Sequence, residues 1–333
     1  MPWWILLVLL IGSILAAIGV FGIVHRERAG VAKNLEPLDG KTVLITGASS
    51  GIGKEAAKLL AKRGARLILA CRNIIKTNVV ADDIRLLTGN KEVEVMELDT
   101  SSLASVRSFA DKFLAQEQRL DVLILNAGMF GTLRRSMTSE GLETTMVTNH
   151  FGHFLLTNLL LGLLLQSRPS RIIVTASSLH KLVQELDHED LNFEKGEFTQ
   201  FQAYGRSKAC NILFTRHLAE ITRDTGVTVN AFCPGLVHTE IFDKTEGFLV
   251  GKLERLIAPF AGRTSWQGAQ PILQLTASND VENISGEYFE NCKVSNNTSN
   301  LVNDLVLARK VWEASEKYAE LKPEEKFYDT SST

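Results

Sequence analysis

Short, almost continuously apolar runs recur along the chain, separated by longer stretches in which apolar and polar positions alternate with a helical period. The runs are Thr42 to Ile45, Leu67 to Ala70, Val93 to Leu98, Val122 to Leu125, Ile172 to Ala176 and Val227 to Phe232. A strand with one wet face alternates apolar and polar residues, so runs that are apolar throughout predict strands covered on both sides. The helical stretches between them supply right-handed crossovers, and the pattern as a whole predicts an α/β fold with a doubly wound parallel sheet. No internal repeat, low-complexity tract or second linker interrupts it, so residues 41–333 read as one domain.

One segment breaks the pattern. Trp3 to Val24 runs 22 residues without a charge, and as a helix it reaches about 33 Å against a bilayer core of about 30 Å. Trp3 and Trp4 suit one interface, and His25, Arg26, Arg28 and Lys33 put positive charge on the other. Residues 1–24 therefore predict a single-pass signal anchor, with 25–40 as a polar linker, the N-terminus lumenal and the rest cytosolic. A cleaved secretory signal is the competing reading, with Ala17-Ile18-Gly19 as a small-residue exit, although a positive n-region is missing and the apolar run is long. The sequons at Asn283, Asn296 and Asn297 separate the two, since only lumenal exposure allows their glycosylation.

Composition narrows the chemistry. The chain has 333 residues, 45% of them hydrophobic, with a net charge of −2. That is enough to bury a full core, and without a basic block it excludes nucleic acid as an expected partner. Cys71, Cys210, Cys233 and Cys292 are scattered with no CxxC pair, which predicts reduced thiols. His150 and His153, three apart, lack the further ligands of a metal motif and read as ordinary helix histidines, so no metal is expected.

Directly after the first strand comes Thr46-Gly47-Ala48-Ser49-Ser50-Gly51-Ile52-Gly53-Lys54, opening a helical stretch. Glycines at such a turn let backbone approach a pyrophosphate, and the helix N-terminus offers unpaired N–H groups to its charge. The second strand ends in Ala70-Cys71-Arg72, with no carboxylate to hold a ribose 2′-hydroxyl. The Arg72 guanidinium suits a 2′-phosphate instead, which favours NADP(H) over NAD(H). Asp99, ending the third strand, is a candidate for adenine, and Asn126-Ala127-Gly128 ends the fourth on the ligand side of the sheet.

Tyr204 and Lys208 lie four apart, on one helix face. Carbonyl reduction by hydride needs a proton donor, and a nearby ammonium favours phenolate over phenol, so Lys208 is expected to lower the Tyr204 pKa. Ser178, just past the fifth strand, is placed to hold the substrate oxygen, and Asn149 to position a water feeding protons towards Lys208. Pro234-Gly235 follows the sixth strand and turns the chain over the nicotinamide, with Val237 and Thr239 within its reach.

These residues together resemble the short-chain dehydrogenase/reductase family from Lys41 to about Tyr288: the TGxxxGxG turn at Thr46 to Gly53, the NAG triplet at Asn126, the tetrad Asn149, Ser178, Tyr204 and Lys208, and Pro234-Gly235. The resemblance implies a Rossmann-type fold, Tyr204 as proton donor or acceptor, Lys208 on the nicotinamide ribose, and a dimer. It also selects Ser178, the second of its pair, over Ser177. Ala70-Cys71-Arg72, Asn149-His150-Phe151-Gly152-His153-Phe154 and Gly286 to Cys292 further resemble the membrane-anchored retinol dehydrogenase branch, with Ser49-Ser50 and Thr100 as departures from it. That branch implies NADP(H), retinoids or other apolar aldehydes, and the endoplasmic reticulum membrane. Steroids and isoprenoid alcohols such as farnesol remain open as substrates, and a catalytically silent nucleotide-sensing scaffold remains open as a different class. Phe242 to Phe260 carries apolar residues at helical spacing and is expected either to pack on the domain or to form a lid over an apolar substrate.

Overall fold

The computed structural model describes residues 2–237 and 262–327. Thr239 and the expected lid, Phe242 to Phe260, lie outside the described residues.

Each apolar run folds as a strand: β1 (Thr42–Thr46), β2 (Arg66–Cys71), β3 (Val93–Glu97), β4 (Val122–Leu125), β5 (Ser170–Thr175) and β6 (Val227–Cys233). Two strands follow that the pattern did not announce, β7 (Tyr288–Glu290) and β8 (Lys293–Val294). They are too short to register as periodic runs, and β7 exists because its backbone pairs with Ala231 to Cys233 of β6. The sheet order is β3-β2-β1-β4-β5-β6-β7-β8, parallel except for the last pair. Strand order reverses between β1 and β4, the place where such a sheet opens a crevice at its carboxyl edge.

The crossovers are α2 (Gly51–Ala61), α3 (Ile74–Thr88), α4 (Leu103–Gln116), α6 (Gly152–Gln166), α7 (Gln200–Ile221) and α8 (Ser265–Ala277), with α9 (Leu305–Tyr318) closing one face. Helix α6 is entered through a short turn, α5 (Thr144–Met146), and a π-helical turn, Val147–Phe151. Side chains of α2, α3 and α8 bury one face of the sheet, and those of α4, α6, α7 and α9 the other. Burying a large aliphatic or aromatic side chain contributes roughly 1.5–3 kcal/mol, so these two layers carry the stability of the domain.

Helix α1 spans Trp3–Glu27. Its backbone is described throughout, whereas the side chains at positions 8, 11, 14 and 15 are outside the described set. Taking the described residues alone, no helix is long and apolar enough to cross a membrane. The stretch read as a linker is strapped along α8: Ala32 N–H donates to Gln270, Lys33 N–H to Gln274, and Leu35 bridges Ser278.

Candidate active site

Five helices, α3, α4, α7, α8 and α9, begin with a side chain that accepts from the first turn. Helix α2 does not: Ser50 makes no capping bond. Its N–H groups therefore remain available to an anion, the arrangement that phosphates exploit. The turn before it is built for close approach. Gly47 has φ of +73°, and a Cβ there would sit 2.7 Å from Ala127 Cα. A Cβ on Gly53 would sit 2.4 Å from the Gly47 carbonyl oxygen and 2.6 Å from Asn126 Nδ2. Ala48 N–H donates to Cys71 Sγ at 3.1 Å, so a buried thiol supports the turn from below. The residues present fit a dinucleotide pyrophosphate: an uncapped helix N-terminus meets a backbone stripped of side chains.

Asn126 fastens β4 to this turn, donating from Nδ2 to the Thr46 and Gly47 carbonyls at 3.0 and 3.2 Å. The Thr46 hydroxyl accepts from the N–H groups of Asn126 and Ala127, both at 2.9 Å. Its proton then serves His153 Nε2, 3.0 Å away, and His153 donates from Nδ1 towards the Asn149 carbonyl at 3.3 Å. Burial, with Lys208 adding to it, pushes the His153 pKa down to about 3, and His150 is likewise lowered to about 4. His150 lies between Asn211 Oδ1 at 3.1 Å and Ser315 Oγ at 2.8 Å. Both imidazoles thus work as neutral connectors, His150 between helices and His153 from α6 to β1, and among the described residues no group of three or more candidate ligands could hold a metal.

The π-helical turn carries Asn149 inward. Its Oδ1 accepts from Met129 N–H at 2.8 Å, and its Nδ2 donates to the Met129 carbonyl and to Ser207 Oγ, both at 2.9 Å. Lys208 is buried, donates to the Thr175 carbonyl at 3.0 Å, and stands 5.6 Å from the Tyr204 ring centroid. Gly128 lies between Asn149 and Lys208: a Cβ there would be 3.2 Å from Asn149 Oδ1 and 3.7 Å from Lys208 Nζ. Burial lowers the Lys208 pKa to about 8.

One expectation needs correcting here. The Tyr204 pKa is not lowered; burial raises it to about 12, and the group that opposes the rise is the neighbouring Ser177 hydroxyl. Lys208 directs its ammonium to Thr175, and desolvation of the phenolate outweighs its field. The hydroxyl beside the Tyr204 phenol is that of Ser177. Ser177 has extended backbone and accepts from Leu179 N–H, whereas Ser178 starts a 3-10 turn with its side chain exposed.

Tyr204 is flanked by Phe130, ring centroids 4.8 Å apart, and Phe130 meets Phe201 edge-on at 5.2 Å. Exposed Leu133, Met137, Leu182, Phe201 and Leu236 all come from segments that follow the carboxyl ends of β4, β5 and β6. Surface hollows lined by Pro37, Lys62 and Gly89, and by Arg216, Gly226 and Asn283, sit at the opposite, amino edge and take no part in this site.

At the far end of the crevice, Arg72 is 66% exposed and pairs loosely with Asp99 at 3.6 Å, so the guanidinium is open to another anion. Asp99 also accepts from Ser101 N–H and its hydroxyl. Past β6, Gly235 has φ of +81°, and Val237 is buried, its methyls 2.8 and 3.2 Å from where a Gly268 Cβ would lie. Arg263, which the sequence reading missed, is buried and donates to the Pro234 carbonyl at 3.2 Å. Cys71 under the glycine turn and Ser207 beside Asn149 were also missed as working parts. Ser207 had a local signal, being inside Tyr204-Gly205-Arg206-Ser207-Lys208; Arg263 had none.

A doubly wound sheet with an open anion turn at its switch point and a buried Tyr-Lys pair beside it defines a dinucleotide-dependent oxidoreductase. The chain matches the family described as short chain dehydrogenase over residues 41–187 and 192–247, and it belongs to that family. It is 46% identical to retinol dehydrogenase 12 of Mus musculus, over 79% of this chain and 82% of that one. It is 42% identical to retinol dehydrogenase 14 of Homo sapiens, over 88% and 90%. Among solved structures it resembles a putative short chain dehydrogenase of Shigella flexneri 2a complexed with NADP, with TM-score 0.60 and 26% identity over 78% of this chain and 100% of that one. An uncharacterised protein from Mycobacterium paratuberculosis superposes with TM-score 0.69 and 30% identity over 86% and 96%.

Proposed function

We propose that this oxidoreductase interconverts a lipophilic alcohol and its aldehyde or ketone, with NADP(H) as cofactor and retinoids as the favoured substrates. The observation that carries the reading is Tyr204: a phenol raised to about 12 stays protonated at neutral pH, next to the Ser177 hydroxyl and an aromatic wall of Phe130 and Phe201. A protonated phenol is the form that can donate to a carbonyl oxygen.

Gly47, Ser49, Ser50, Gly51, Ile52 and Gly53 would cradle the pyrophosphate. Arg72 would meet the 2′-phosphate and Asp99 the adenine, with Asn126, Ala127 and Gly128 along the ribose. Lys208 would hold the nicotinamide ribose, and Pro234, Gly235, Val237 and Thr239 would border the nicotinamide, which when bound supplies or accepts hydride at the substrate carbon. Tyr204 then gives its proton to the carbonyl oxygen on reduction and takes it back on oxidation. Ser178 keeps an exposed hydroxyl for the substrate oxygen, while Ser177 holds the phenol, and Asn149 braces the turn at Met129. The apolar rim at Leu133, Leu182 and Leu236 supports an apolar substrate, as do the names of the relatives and the 22 uncharged residues of Trp3 to Val24. We read that segment as a single-pass anchor in the endoplasmic reticulum membrane with residues 41–333 on the cytosolic side.

A substrate panel of retinal, a steroid ketone and farnesal, with NADPH and NADH compared on membranes carrying the full chain, tests the reading. Retinal turnover with NADPH, abolished by Tyr204→Phe, is expected. Turnover preserved in Tyr204→Phe would overturn the mechanism, and NADPH binding without turnover of any aldehyde would revive the scaffold reading.

A further inference from the structure

The C-terminal end of α1 is bonded to the catalytic domain at the turn that follows β6. His25 Nε2 accepts from Leu236 N–H at 3.2 Å, and the His25 carbonyl accepts from Arg263 Nε at 3.2 Å. Arg26 donates to the Gly262 carbonyl at 2.9 Å, and Gln267 donates back to the Arg26 carbonyl at 3.3 Å. Arg263 extends the connection inward: Nη1 reaches the Pro234 carbonyl at 3.2 Å, Nη2 reaches Asn291 Oδ1 at 2.5 Å, and its backbone N–H reaches the Leu236 carbonyl at 2.7 Å. Both polar backbone groups of Leu236 are therefore held, one by α1 and one by the arginine that α1 grips.

We propose that His25 is a positioning residue of the active site, clamping the turn after β6 together with Arg263, so that α1 organises the nicotinamide side of the crevice. The proposal rests on the assignment of Pro234 to Val237 to that side. The imidazole is suited to the task. Its ring stacks on Phe21, with centroids 5.5 Å apart and planes 7° apart, which sets the direction of Nε2. Burial lowers its pKa, and among the described residues the charged groups that face it are Arg263 and Arg26, both cations that act in the same direction, so the ring stays neutral and its lone pair available to Leu236. A flexible turn pinned in its binding geometry spares a ligand the ordering cost, so the clamp acts on cofactor affinity more than on global stability.

The test uses the full chain in detergent micelles, with two readouts: hydrogen exchange of the Leu236 amide in the cofactor-free protein, and NADPH affinity by fluorescence titration. His25→Ala is expected to speed Leu236 exchange and raise the NADPH Kd about five-fold, with the thermal midpoint little changed. His25→Gln, whose Oε1 reaches the place of Nε2, is expected to restore both. Should His25→Ala fail to fold, Arg263→Lys, which keeps the charge and loses the fork, is expected to raise the Kd in the same way. Wild-type Kd and exchange in His25→Ala or in Arg263→Lys would overturn the clamp alone, as would His25→Gln that recovers exchange and not affinity. A wild-type chain that does not bind NADPH would overturn the cofactor assignment, and the clamp with it.

Discussion

Asn149 and Met129 form a closed pair in which one side-chain amide satisfies both polar groups of one residue's backbone, at 2.8 and 2.9 Å. Asn149→Ala leaves two half-buried backbone groups and Ser207 without that partner. Each orphaned buried group costs about 1–3 kcal/mol. The expected result is a lower urea midpoint together with at least a tenfold loss of kcat. An alanine variant with wild-type kcat would remove Asn149 from the machinery.

The two serines should separate kinetically. Loss of one preorganised donor to a developing oxyanion costs about 10²–10³ in kcat, and this is expected for Ser178→Ala. Ser177→Ala removes the group that opposes the raised Tyr204 pKa. The pH limb of the oxidation reaction, which needs phenolate, should therefore move upward. If Ser177→Ala shows the larger loss of kcat and Ser178→Ala none, the substrate oxygen belongs to Ser177.

Lys208, with its pKa lowered to about 8 by burial, loses its charge within an accessible range. Below that pH it is an ammonium, and above it a neutral amine. Since kcat/KM reports ionisations of the free enzyme, carbonyl reduction should decline as pH rises through about 8. In Lys208→Arg the charge cannot be lost. That variant, though slower, should show no decline there; an unchanged limb would assign it to another group.

His150 and His153 tie stability to pH. Their folded pKa values, about 4 and about 3, lie below the ordinary 6.5. The unfolded chain therefore binds protons first as pH falls. Stability is full above 6.5 and is lost on acidification, down to about 4 for His150 and about 3 for His153, with a slope of about 1.4 kcal/mol per pH unit for each ring. Urea midpoints compared at neutral and mildly acidic pH check this, and equal midpoints would contradict the buried neutral rings.

Arg72 and Gly53 test the proposed contacts to the 2′-phosphate and to the pyrophosphate. The Arg72–Asp99 pair is exposed and worth little, so Arg72→Ala should barely affect stability while raising the NADPH KM at least tenfold relative to NADH. Equal loss for both cofactors would remove Arg72 from the 2′-phosphate. Gly53→Ala drives a methyl against the Gly47 carbonyl at 2.4 Å. Overpacking of this kind costs about 1–3 kcal/mol, and NADPH affinity measured by titration should fall with it.

The six principal strands, the glycine turn and the helix face shared by Tyr204 and Lys208 were legible in the sequence, because each depends on residues close together in the chain: a run of apolar side chains, a turn lacking Cβ atoms, a spacing of four. Strands β7 and β8 were not, since two or three residues carry no period and only pairing with β6 makes them strands. The resemblance brought the candidate tetrad forward, but which serine meets Tyr204 depends on the backbone angles at the end of β5, which no motif states. The direction of the Tyr204 shift was likewise out of reach: neighbours suggested stabilised phenolate, whereas burial by Phe130 and the surrounding layers raises the pKa. His25 and Arg263 lie 238 residues apart in the chain and meet only when α1 settles beside the β6 turn. By itself the sequence determined the parallel sheet, the family and the residue types of the site, all properties of local pattern. The tertiary structure decided the protonation of those residues and their partners, because desolvation and hydrogen bonding are set by what distant segments bring into contact.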